Sequence, residues 1–238
     1  MFGNVVSILK FCGYLVGRRK QLKIAKRLDR EGNIAERDRM VEEGVASWAQ
    51  YVVGLSGSTV EVSGEEYIPS DTAVVFVGNH QGYLDIPVLL GYVKKNKAFI
   101  SKIEILKVPY LSDWMKLMQC TFLDRTNMRQ SVQAMQQAIE TVKKGYSLVI
   151  FPEGTRSRGG PVGEFKAGSF KLALKAGVPI VPVTIDGTWR LFEEHNRFAK
   201  GHVKVTVHPP VQTAGLSREE SAGLPESIRT TIMSALPS

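Results

Sequence analysis

His80 and Asp85 stand five residues apart in the stretch Asn79-His80-Gln81-Gly82-Tyr83-Leu84-Asp85, directly after an apolar run. A histidine there can act as a general base near neutral pH, since its ordinary pKa is about 6.5. An acid on one ring nitrogen leaves the other free to take a proton. On an ideal helix, positions i and i+5 lie roughly 140° apart, so the two side chains would not meet. They meet only if His80 lies in a turn and Asp85 on the first turn of the helix that follows. The flanks agree with that. Residues 72–77 read as a strand, Gly78 and Gly82 break it, and Ile86, Leu89 and Leu90 begin a helical spacing. Such strand-turn-helix junctions are where open α/β sheets place their chemistry.

Three further blocks carry chemistry. Phe122-Leu123-Asp124-Arg125 ends a short apolar run. Phe151-Pro152-Glu153-Gly154-Thr155-Arg156-Ser157 ends a strand and opens a loop continuing through Arg158, Gly159, Gly160 and Gly163. Val178-Pro179-Ile180-Val181-Pro182-Val183 is an apolar strand. Arg125 and Arg156 thus fall at strand ends, on the same kind of edge as His80. Arginine grips a phosphate bidentately and does not lose its charge. Glu153 is expected to accept a hydrogen bond from a hydroxyl-bearing ligand, and Gly154 to let that ligand approach the backbone.

In this order, the four blocks resemble those of the glycerolipid acyltransferase family, and most closely its 1-acylglycerol-3-phosphate (lysophosphatidic acid) branch. Asn79, His80 and Asp85 match the Asn-His-x-x-x-x-Asp motif. Residues 151–157 match Phe-Pro-Glu-Gly-Thr-Arg-Ser in full, and 178–183 match Val-Pro-Ile-Val-Pro-Val. Phe122 and Arg125 fit the remaining motif, with Gln119 where a glycine is usual and Thr121 where an aliphatic is usual. The resemblance implies that His80 is the general base on the sn-2 hydroxyl of lysophosphatidic acid, with Asp85 orienting the ring. The hydroxyl then attacks the thioester of an acyl-CoA or acyl-carrier protein, with no acyl-enzyme, to make phosphatidic acid. It further implies a phosphate clamp of Arg125 and Arg156, with Glu153, Gly154 and Thr155 near the glycerol. Lys102 adds charge without holding a motif position. No metal or redox cofactor is implied. The same chemistry on glycerol-3-phosphate or another lysophospholipid, and a thioesterase, are the alternatives.

The elements that must position these residues alternate. Strands are expected at 59–62, 72–77, 98–100, 147–151, 178–185 and 203–207. Helices are expected at 86–93, 109–118, 127–144 and 171–175, with a weak one at 217–236 interrupted at Pro225. This pattern predicts an α/β fold, a mixed and mostly parallel sheet flanked by helices. With 43% hydrophobic residues, the chain has ample material for a core. Cys12 and Cys120 are too few for a disulfide framework, which points to a reducing, cytoplasmic setting. The four histidines lack metal-ligand spacing, and His195, His202 and His208 read as structural or exposed.

Net charge is +8, and its distribution is uneven. The first thirty residues hold eight cations against one acid, Asp29. The excess therefore belongs to one segment and not to a nucleic-acid surface. Residues 2–16 are mostly apolar, yet shorter than the roughly 20 residues a bilayer span needs. The cations follow the apolar run instead of preceding it, which is unlike a signal peptide. Val41, Val45, Trp48 and Val52 mark a second helix, with Arg37, Asp38, Arg39, Glu42 and Glu43 as its polar side. The two helices, joined near Glu31-Gly32-Asn33, predict an amphipathic membrane-binding hairpin over 1–55, ahead of a catalytic domain over 56–238. Phe2, Leu9, Phe11, Leu15, Arg18, Arg19, Lys20 and Lys23 are its expected contacts with an anionic membrane surface. The expected location is peripheral or monotopic, on the cytoplasmic face of the cell membrane. Trp114, Met115 and Met118 read as core or as the lining of an acyl tunnel, with core the preferred reading.

Overall fold

A computed structural model describes residues 2–237 apart from Arg125, and for residues 2–8 the backbone alone. The arrangement is the expected one: a mixed, mostly parallel sheet between helices. Its strands are β1 (Thr59–Ser63), β2 (Val75–Gly78), β3 (Lys97–Lys102), β4 (Thr121–Leu123), β5 (Ser147–Ile150), β6 (Ile180–Asp186) and β7 (His202–Val207). They lie in the order β1-β7-β6-β2-β5-β3-β4. Every pairing is parallel except β6 with β7. Consequently β6, β2, β5, β3 and β4 all end on one edge. Strands β2, β5 and β6 are buried on both faces and read as unbroken apolar runs, as parallel strands do.

Pro182 sits inside β6, an interior strand. Its missing N–H falls where the ladder to β7 begins, since the first antiparallel partners are Val183 and Val207. The sheet tolerates it because no strand needs that donor.

The helices are α1 (Phe2–Gly17), α2 (Arg19–Arg30), α3 (Ile34–Gly54), α4 (Asp85–Tyr92), α5 (Leu111–Leu117), α6 (Met128–Lys143), α7 (Lys171–Ala176) and α8 (Arg218–Met233). Asn127 caps α6 by accepting from the Gln130 N–H at 3.1 Å, and Gly177, at φ 69°, ends α7. The weak signal near the carboxyl terminus proves to be one helix. It runs straight through Pro225, because Leu224, Ile228 and Ile232 bury its inner face. A proline removes one backbone hydrogen bond; here that burial outweighs it.

The first arm of the expected hairpin is two helices, not one. They break at Arg18 and turn back into α3 through residues 31–33. Leu15, Leu22, Val41, Val45 and Val52 share one hydrophobic cluster with Phe76, Val88 and Phe99 of the sheet side. Arg37, expected on a polar face, is 2% exposed. Asp29, Asp38 and the Tyr146 hydroxyl surround its guanidinium at 2.6–2.8 Å. These contacts tie the hairpin to the turn that enters β5.

Several expected membrane contacts point inward. Leu15 is 7% exposed, since it packs into that cluster. Phe11 is half-buried, edge-on to Trp48. Arg18 donates to the Tyr14 hydroxyl and to Ser47, both at 2.8 Å. Leu9, Arg19, Lys20 and Lys23 are exposed, and the Phe2 side chain lies outside the described residues. Among the described residues no helix is long and apolar enough to cross a membrane.

Candidate active site

The turn 79–85 leaves the carboxyl end of β2 and is held from both sides. Buried Asn79 exchanges two 2.8 Å hydrogen bonds with the backbone of Ile185 at the end of β6. The Gly187 N–H donates to the Gln81 side-chain oxygen at 2.8 Å. From the β5 side, the Ser157 N–H donates to the His80 carbonyl at 2.8 Å and the Arg158 N–H to the Gln81 carbonyl at 3.1 Å. A turn pinned by backbone contacts on two flanks has little freedom to move its side chains.

Within it, Asp85 is the first residue of α4 and is fully buried. Its Oδ2 lies 2.6 Å from His80 Nδ1 and accepts the Gln81 and Gly82 N–H groups at 2.7 and 2.9 Å. Its Oδ1 accepts the Thr188 hydroxyl. Four donors around a carboxylate stabilise its charge, as does the helix N-terminus on which it sits. The network assigns the proton of His80 to Nδ1, so Nε2 carries the free lone pair. The Phe151 ring stacks on the imidazole at 4.1 Å with 12° between planes, which fixes its tilt.

Glu153 ties two backbone segments together. It is 6% exposed, and its two oxygens accept the His80 N–H at 2.7 Å and the Gly163 N–H at 3.0 Å. It braces the turn that carries His80. Gly154 adopts φ 69° beside it, and Thr155 is exposed.

Arg156 extends over the Tyr83 ring at 3.5 Å and donates to Glu193 at 3.1 Å. That places it against the turn carrying His80. Glu193 and Thr188, both in the segment after β6, went unnoticed in the sequence. Lys102 is exposed at the carboxyl end of β3. Arg125 follows β4 and lies outside the described residues.

Beside the turn opens a cavity of about 440 Å³. Tyr83 and Leu84 of the turn, Trp48 of α3, Leu90 of α4, Trp114 of α5 and Phe192 are among its lining, which is overwhelmingly apolar. Met115 and Met118, expected as core or tunnel lining with core preferred, line it too. The turn that carries His80 thus adjoins, through Tyr83 and Leu84, a space that suits a hydrocarbon chain.

The acyltransferase family profile matches residues 59–186, more than half of the chain and all of the dyad-bearing turn. A chloroplastic 1-acyl-sn-glycerol-3-phosphate acyltransferase of Brassica napus is 41% identical over 63% of this chain and 44% of its own length. A 1-acyl-sn-glycerol-3-phosphate acyltransferase of Borreliella burgdorferi is 34% identical over 76% of this chain and 73% of its own. This chain therefore spans less than half the length of the plant relative and most of the bacterial one. Among solved structures, the 1-acyl-sn-glycerophosphate (LPA) acyltransferase PlsC of Thermotoga maritima superposes with a TM-score of 0.74 at 29% identity, covering 98% of this chain and 99% of that one. With its motif blocks gathered on one sheet edge and its sequence and fold matched along most of their length, the chain belongs to the acyltransferase family.

Proposed function

We propose that this protein transfers a fatty acyl group from an acyl thioester to the sn-2 hydroxyl of 1-acylglycerol-3-phosphate, giving phosphatidic acid. The observation that carries this reading is the His80–Asp85 pair on a turn whose Tyr83 and Leu84 line an apolar cavity, with Arg156 against the same turn. His80 Nε2 takes the proton of the acceptor hydroxyl as its oxygen bonds to the thioester carbonyl carbon. The tetrahedral species collapses, the carbon–sulfur bond breaks, and the leaving thiolate takes the proton back from the imidazolium. Asp85 stabilises that imidazolium throughout, as the acid of a hydrolase triad does. General-base assistance supplies about 10²–10⁴-fold, and positioning much of the remainder.

Arg156 supplies the charge for the acceptor phosphate, joined by Lys102 at the carboxyl end of β3 and by Arg125, which follows β4 in the chain. The apolar cavity takes an acyl chain. The acyl donor is an acyl-CoA or an acyl-carrier protein. The helical segment 1–55 docks on the anionic, cytoplasmic face of the membrane through exposed Leu9, Arg19, Lys20 and Lys23, presenting the 56–238 unit to its lipid acceptor.

A labelled acyl-transfer assay offering 1-acylglycerol-3-phosphate, glycerol-3-phosphate and lysophosphatidylcholine in parallel tests the reading. Selective product from the first supports it. Selective product from either of the others moves the acceptor. Thioester turnover undiminished without any acceptor makes the protein a thioesterase.

A further inference from the structure

Glu193 belongs to none of the motif blocks, yet it connects two of them. Its side chain is 5% exposed. Oε1 accepts the Tyr83 N–H at 2.6 Å and Nη1 of Arg156 at 3.1 Å. Tyr83 lies between His80 and Asp85 in the chain, and its ring is the surface under the Arg156 guanidinium. Among the described residues, Glu193 Oε2 is buried without a hydrogen-bond partner. That oxygen packs against Gly82, where any Cβ would come within 2.5 Å of it. The neighbouring Phe192 lines the cavity and meets the Tyr83 ring edge-on at 6.2 Å.

A solvated surface pair does not look like this. Burying a carboxylate with one oxygen unsatisfied is costly, and such groups persist where they do something. The geometry points to Glu193 as a positioning residue that aims Arg156 at the acceptor phosphate and holds it in register with His80. An arginine side chain is long and loses rotamer freedom when it binds. Glu193 takes one donor, Nη1, and Tyr83 fixes the plane of the fork. The remaining guanidinium donors stay available, and 19% of the arginine side chain remains open to a ligand. Because the same carboxylate oxygen holds the Tyr83 N–H, the distance from phosphate to general base is set by one group. The inference rests on the reading of Arg156 as a phosphate ligand.

Steady-state kinetics on wild type, Glu193→Gln, Arg156→Ala and the double variant test it. In Glu193→Gln the new amide oxygen can still accept from Tyr83, while the ion pair is lost. Glu193→Gln should raise the KM for 1-acylglycerol-3-phosphate about tenfold, with the donor KM within about twofold of wild type. The double variant should be no worse than Arg156→Ala alone, since one residue acts through the other. Losses that multiply in the double variant overturn the positioning role, as does a lowered acceptor KM in Glu193→Gln, which would mean that repulsion of the phosphate dominates. If Glu193→Gln does not fold, Glu193→Asp, which draws the carboxylate back, carries the same expectation and the same contrary result. An acceptor KM unmoved in Arg156→Ala removes the phosphate reading instead.

Discussion

Thr188 donates its hydroxyl to the Asp85 oxygen that does not face His80, from a point 103 residues further along the chain. Both residues are fully buried. The segment after β6 therefore completes the environment of an acid that the sequence placed by spacing alone. Asp85 is thereby restrained from two sides, by backbone amides on Oδ2 and by a hydroxyl on Oδ1.

Thr188→Val should lower kcat roughly tenfold, in line with a hydrogen bond to a charged group. Both KM values should stay within about twofold. A normal kcat in Thr188→Val would show that this hydrogen bond does not serve the proposed catalysis.

Val45 lines the cavity and is 8% exposed. Val45→Phe should shorten the space available to an acyl chain. The rate ratio of twelve-carbon over eighteen-carbon substrate should rise by about tenfold, the scale on which apolar pockets discriminate a few methylenes. Competition assays with mixed chain lengths measure it, and an unchanged ratio would show that the acyl chain lies elsewhere.

Arg19, Lys20 and Lys23 stand exposed on α2, whereas Leu22, Ala25 and Leu28 fill its inner face. Deleting the segment would uncover the core, so charge reversal is the cleaner probe. Changing all three cations to Glu should weaken binding to phosphatidylserine-containing vesicles by at least about 10²-fold, given roughly 1 kcal/mol per basic residue near an anionic surface. Co-sedimentation at low and high salt measures this. Binding that survives the reversal would assign attachment to another surface.

Lys97 begins β3 and is 3% exposed. Its ammonium caps the carboxyl end of α4, donating to the Leu89 and Val93 carbonyls at 2.9 and 2.6 Å. Burial lowers its pKa to about 7, against an upward pull from Glu42 and Glu65. In the unfolded chain the group titrates near its ordinary value of about 10.4. Between those values the unfolded chain binds more protons, so this group makes stability rise with pH across that window; below about pH 7 its penalty is fully present. Melting temperatures of wild type minus Lys97→Met should therefore increase from about pH 6.5 to about pH 9.5. A flat difference would mean that Lys97 is not perturbed. Because α4 starts at Asp85, the cap also stiffens the far end of the helix that carries this carboxylate.

The dyad was legible because its spacing excluded a helix and its flanks supplied a strand and a helix. The parallel sheet was legible because β2, β5 and β6 are buried on both faces and show it as unbroken apolar runs. Glu193 and Thr188 were not legible. Thr188 meets Asp85 across 103 residues, and Glu193 meets Tyr83 across 110 and Arg156 across 37; neither periodicity nor a motif marks such contacts. The burial of Arg37 was hidden for the same reason, since its partner Tyr146 comes from the far side of the fold. Glu153 was legible as important but not in its purpose: both of its oxygens serve backbone amides, which no side-chain pattern announces. The cavity was only half legible, because Trp114, Met115 and Met118 are side chains that fill a core as readily as they line an apolar pocket. Pro225 misled because the inner face of α8 is apolar enough to carry a helix through one missing hydrogen bond.

The central claim is that the imidazole of His80, held by Asp85, removes the proton of the acceptor hydroxyl. The most direct test is acyl transfer to 1-acylglycerol-3-phosphate by His80→Ala, with melting temperature measured on the same preparation. The account predicts a rate reduced by about 10³-fold or more, within the range of general-base catalysis, in a protein that melts as wild type does. A folded His80→Ala protein that transfers acyl groups at the wild-type rate would contradict it.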